Sequence, residues 1–172
     1  MISDINSISI DSFKKLSIND FFEKLNSELY PSLYSELNLI DDLIESLKYE
    51  VDVNFCQSLL KKIYSEFDEM TRKEKHVLFP YVLKLTEENV KATSCSAFKN
   101  TKVHHTSILQ ACDECLVIIE NFFINSSNAS TIETLAFEVK KLKNVFYDLQ
   151  FIKDNVFYNK VKSCSGCTKI SI

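Results

Sequence analysis

Apolar residues recur along the chain at helical rather than strand spacing. From Phe22 they fall at Leu25, Leu29, Leu33, Leu37, Ile40, Ile44 and Leu47, a single stripe on one helix. Ser17-Ile-Asn-Asp20 reads as a capping box that opens it, and Pro31 inside the run predicts a kink. Val51-Asp-Val-Asn54 reads as a turn. A second stripe runs through Cys56, Leu60, Ile63, Phe67, Met70, Val77 and Leu78, with Pro80 bending its last turn. Beyond a polar linker from Glu87 to Thr101, the third stripe carries Ile108, Leu109, Cys112, Leu116, Ile119, Phe122 and Phe123. Asn125-Ser-Ser-Asn128 makes a turn. The fourth stripe runs through Leu135, Val139, Leu142, Phe146, Leu149, Val156 and Phe157. Four stripes facing one axis predict an all-α, up-and-down four-helix bundle over residues 18–162. Residues 1–17 form a loosely ordered lead-in and 163–172 a C-terminal tail.

The second half repeats the first 79 residues later, without a gap. Leu29 pairs with Ile108, Leu37 with Leu116 and Ile40 with Ile119. In the next hairpin Leu60 pairs with Val139, Ile63 with Leu142, Phe67 with Phe146 and Met70 with Leu149. Val77 then pairs with Val156 and Val82 with Val161. A register kept across two helices and their turn indicates two related helical hairpins.

Composition narrows the class further. One Gly and two Pro in 172 residues leave too few tight-turn residues for a sheet protein of this size. A net charge of −4 with mixed signs offers no basic stripe for a phosphate backbone, so nucleic acid is not an expected partner. No apolar run approaches the roughly 20 residues of a membrane span. The chain opens with no basic region leading into an apolar one, so no signal peptide is expected, and the six Cys read as reduced thiols in a cytoplasm. Tyr30, Tyr34, Tyr49 and Phe151 fall on outer faces, where a protein partner or a second copy of the chain would cover them.

Polar residues interrupt the stripes, and the same offset pairs them: Asn26 with His105, and Glu74 with Lys153. Buried charges need a partner or a metal. His104 and His76 fall off the stripes and read as solvated. The segment Glu74-Lys-His-Val-Leu-Phe-Pro-Tyr-Val82 resembles the hemerythrin-like family, including its di-iron branch proposed to repair iron–sulfur clusters. Lys153-Asp-Asn-Val-Phe-Tyr-Asn-Lys-Val161 is similar to an eroded second copy. The resemblance covers roughly residues 20–162 and implies oxygen or nitric-oxide chemistry in a stress-response setting.

It also implies a ligand set: a His from the first and third helices, and an H-x-x-x-E pair from each of the second and fourth. Only Glu74 and His105 retain metal-ligand residues at those positions. Asn26 stands for the first-helix His, Met70 and Leu149 for the two His of the pairs, and Lys153 for the other carboxylate. Lys48 lies near the place of an extra His. Two ligands cannot hold two irons, so the reading is a degenerate site without a cofactor, in a non-catalytic binding or regulatory module. Its expected centre is a Glu74–Lys153 ion pair, with His105 and Asn26 hydrogen-bonded nearby. Two alternatives stay open. One is an iron site built on His105 and Glu74. The other is a zinc or thiol site from the C-x-x-C pairs Cys112/Cys115 and Cys164/Cys167, of which the tail pair is the better placed. No phosphate loop or nucleophile–base motif supports an enzyme.

Overall fold

The computed structural model describes residues 10–47, 53–87, 96–123 and 128–165, and these are all-helical, with no strand among them. The elements are α1 (Ile10–Lys14), α2 (Ile18–Lys24), π1 (Leu25–Leu29), α3 (Tyr30–Ser46), α4 (Val53–Lys73), π2 (Glu74–Leu78), α5 (Phe79–Glu87), α6 (Ser96–Phe123), α7 (Ala129–Ile152), π3 (Lys153–Phe157) and α8 (Tyr158–Ser165). They join into four long rods: α2–π1–α3, α4–π2–α5, α6, and α7–π3–α8. α3 packs on α4 and α7, and α6 packs on the same two helices, so the rods enclose one core. No helix among the described residues is long and apolar enough to cross a membrane.

The first rod starts where its sequence says it should. The Ser17 hydroxyl accepts the Asp20 N–H at 3.1 Å, satisfying a donor the helix leaves orphaned. The lead-in is partly held: Phe13 is buried against Phe21, with ring centroids 5.3 Å apart. α6 begins at Ser96, inside the stretch expected to be a linker; no Gly or Pro there stops a helix. α4 likewise starts inside the expected turn, at Val53, while residues 51–52 and 125–127 lie outside the described residues.

Neither proline breaks its rod. Each comes just after a single wide turn in which the N–H bonds five residues back: Tyr30 to the Leu25 carbonyl, and Phe79 to the Glu74 carbonyl. Proline lacks an N–H and its ring presses on the carbonyl four residues earlier, and one extra residue in the turn relieves both. π3 repeats π2 at the offset of the sequence repeat, although Asn159 stands where Pro80 stands. There the amides of Asn155 and Asn159 donate to the carbonyls of Phe151 and Asn155, competing for the regular ladder's acceptors. Each wide turn rotates the residues beyond it about the rod axis. Val77, expected on the core stripe, is 56% exposed, while Leu78 and Phe79 face inward; its counterpart in π3, Val156, is buried.

Aromatic layers bracket the middle of the core. Phe67 and Phe146, related by the repeat, meet edge-to-face at 5.4 Å. On the far side Phe22 stacks on Phe79 at 3.8 Å, and Phe21 stacks on Phe157 at 5.2 Å.

Candidate functional site

Between those aromatic layers lies a layer of buried polar side chains. Glu74 and Lys153 each occupy the first position of a wide turn, π2 and π3, which brings them inward from two different rods. Lys153 Nζ donates to Glu74 Oε1 at 2.6 Å, and the side chains are 5% and 0% exposed. The same ammonium reaches His105 Nε2 at 3.3 Å and Met70 Sδ at 3.9 Å. All three of its protons therefore have an acceptor. The Tyr30 hydroxyl donates to Glu74 Oε2, and the Tyr30 ring lies 5.5 Å from the ammonium. Both carboxylate oxygens and the whole ammonium are satisfied with no need of water.

The electrostatics result from that packing. Burial, and then the Lys153 ammonium, push His105 well below the usual histidine range, so it is neutral at physiological pH. Because Lys153 donates to Nε2, the network assigns the ring proton to Nδ1, which is buried and has no partner among the described residues. Burial, and then the Glu74 carboxylate, raise the Tyr30 phenol well above its ordinary value and keep it a donor. Burial lowers Lys153 and the Glu74 carboxylate opposes that shift, the balance expected of an ammonium held by one fixed anion.

Several positions differ from the sequence reading. Asn26 does not join the layer: it is exposed, and its amide donates to the Phe22 carbonyl at 2.8 Å. Leu25 and Leu29 take the inward positions, and the extra residue of π1 carries Tyr30 inward instead. Tyr30, expected on an outer face, is thus a core member; Tyr34 is half-buried, Phe151 is exposed, and Tyr49 and Lys48 lie outside the described residues. Met70 does more than fill space, since its sulfur faces the ammonium; Leu149 is fully buried and apolar. His104 is not solvated. Its Nδ1 bonds Glu66 at 2.6 Å and its Nε2 meets Lys73 Nζ at 3.0 Å, a bridge between α4 and α6. His76 is exposed.

Cys112 and Cys115 face the core on α6, as Cys56 does on α4, and none of the three is in a disulfide. Burial pushes the Cys112 thiol up to about 12, and a hydrogen bond with Cys56 and burial raise Cys115 further. The side chain of Cys164 and all of Cys167 lie outside the described residues. Among the described residues no group of three or more His, Cys, Asp and Glu is arranged to hold a metal ion.

A second polar group joins α3 to α7 and carries no marker in the sequence pattern. Lys141 Nζ donates to Glu36 and to Glu138, at 3.1 Å each. Burial first, and then the Glu138 carboxyl, raise Glu36 to about 7, while Lys141 opposes them. A proton on Glu36 accounts for its otherwise unpartnered, buried Oε1. Between about 4.5 and 7 the native chain therefore holds a proton that the unfolded chain has lost, so this group's contribution falls as pH rises through that window. Glu138 is lowered, chiefly by its hydrogen bond to Glu36, and acts in the opposite sense only below 4.5. Glu36→Gln keeps a donor toward Glu138 without the titration. Urea unfolding should find it near wild type at pH 5 and more stable by about 1 kcal/mol at pH 8. Equal stabilities at both pH values would mean Glu36 is ionised throughout.

The chain matches no family model, no curated protein and no solved structure.

Proposed function

We propose that this chain is a hemerythrin-like, up-and-down four-helix bundle of two related hairpins, with a degenerate metal site, serving as a non-catalytic binding or regulatory module. In this reading the Glu74–Lys153 ion pair stands where the resemblance would put a di-iron centre. The observation that carries it is the 2.6 Å contact between two buried groups one repeat apart, each at the first position of a wide turn. The neighbouring residues fit no di-iron centre. Met70 and Leu149 offer a thioether and a hydrocarbon where imidazoles are required, and iron at such sites takes imidazole and carboxylate. The point between Glu74 and His105, which a single iron would need, is filled by the ammonium of Lys153. A fixed positive charge balances the carboxylate that a metal ion otherwise would.

Metal content and the visible spectrum of untagged full-length protein, purified with and without air, test this. The expected result is no stoichiometric iron and no oxo-bridge absorption. A di-iron complement would overturn the reading. Zinc that disappears when Cys164 and Cys167 are both changed to Ser would move function to the tail.

A further inference from the structure

A groove of about 330 Å³ opens on the surface between α3 and the α4–π2 junction, directly outside the buried layer. One wall is Tyr30, Pro31 and Tyr34, and the other is Arg72, Lys75 and His76. Arg72, Lys75 and His76 are spaced to share one helix face, so three basic side chains meet one opening in a chain whose net charge is −4. Arg72 is 63% exposed and pairs with Glu69 one turn earlier on the same helix. Lys75 and His76 are exposed and make no hydrogen bond or ion pair among the described residues. The one carboxylate in the lining, Asp68, already accepts from the Tyr34 hydroxyl at 2.8 Å, and the Thr71 hydroxyl lies 3.4 Å from that of Tyr34. That pair of contacts, with the Phe67 ring 4.7 Å away, holds the Tyr34 ring in a defined place.

We infer that the groove binds a small organic anion with a planar apolar body. Its phosphate or carboxylate would sit among Arg72, Lys75 and His76, and its flat part would lie on Pro31 and Tyr34. Arg72 and Lys75 at the mouth draw an entering anion, the His76 ring offers a further hydrogen bond, and the held Tyr34 ring supplies contact area at little entropic cost. A volume of this order is what small-ligand sites use. The inference rests on the reading of the chain as a binding module and gives that module a site. The two fail separately: iron in the purified protein would remove the metal-free reading, whereas a ligand titration tests the groove alone.

The probe is phenyl phosphate, titrated into the full chain and monitored by 1H–15N spectra at low ionic strength, with inorganic phosphate and phenol as controls. Shifts are expected at Tyr30, Tyr34 and Arg72 to His76, with phenyl phosphate binding more tightly than either control. Lys75→Glu reverses an exposed, unpaired charge and should weaken binding about tenfold or more. His76→Ala should weaken it less, and neither should alter the melting temperature. Absence of shifts with all three probes would overturn the proposal. So would equal affinity in Lys75→Glu, shifts centred elsewhere, or inorganic phosphate binding as tightly as phenyl phosphate.

Discussion

Lys153→Met is expected to lower the unfolding free energy by about 3–5 kcal/mol, because it leaves the Glu74 carboxylate buried with no cation. Glu74 has no exposed surface, and aromatic layers on both sides keep the layer away from solvent. The Tyr30 hydroxyl would remain as its one strong donor, too little to solvate a charge. Glu74→Leu should cost a similar amount by stranding the ammonium, with only the His105 nitrogen and the Met70 sulfur left to it. The double variant Glu74→Leu with Lys153→Met removes both charges and should recover most of the loss, since a buried ion pair replaced by apolar groups of similar size is often neutral or stabilising. Urea unfolding of the four proteins gives the coupling energy directly. A loss below about 1 kcal/mol in both single variants would show that water reaches the pair, since exposed pairs are worth no more than that.

Phe146→Ala should cost about 3–5 kcal/mol, the usual range for removing a fully buried aromatic ring. Phe146 has no exposed surface, meets Phe67 edge-to-face at 5.4 Å and presents its ring to His105 at 6.2 Å. It therefore closes the polar layer from the side of α7. Its removal leaves a cavity beside a neutral imidazole that already lacks one partner, and a water entering there would find the His105 Nδ1 proton. Phe67→Ala should behave alike, because it loses the same contact and also frees Tyr30, 5.7 Å away. The two changes should not add, since the rings touch. Guanidinium denaturation at constant slope checks the sizes; a loss under about 1.5 kcal/mol for both would mean that the core collapses around the gap.

These effects depend on a layer whose members the sequence announces unevenly. Glu74 and Lys153 stand out because charged residues on a 3.6-residue stripe have nowhere apolar to go, and the repeat sets them in equivalent places. His105 stands out for the same reason. Tyr30 does not: the stripe continued from Phe22 and Leu25 runs through Leu29, and only the structure shows Tyr30 buried beside it. Asn26 and Val77, both within wide turns, point outward although the stripe places them inside. Periodicity assumes a constant advance per residue, and each wide turn changes that advance once. The two prolines mark where π1 and π2 lie, but not that a wide turn rather than a kink would result, and π3 has no proline at all.

The sequence by itself determined that the chain is helical, where its stripes lie, how its halves correspond, and that Glu74, His105 and Lys153 face inward. Those properties are local or periodic, set by side-chain spacing and by the scarcity of glycine and proline. Only the tertiary structure decided which inward groups touch. Glu74 and Lys153 lie 79 residues apart and Tyr30 lies 44 from Glu74, and no pattern along one helix states the distance between two rods. The His104 bridge, the Glu36–Glu138–Lys141 group and the groove beside Tyr34 belong to the same kind. Each arises where faces of different rods meet, and there it is the packing of the rods, together with three local departures from regular helix, that sets the chemistry.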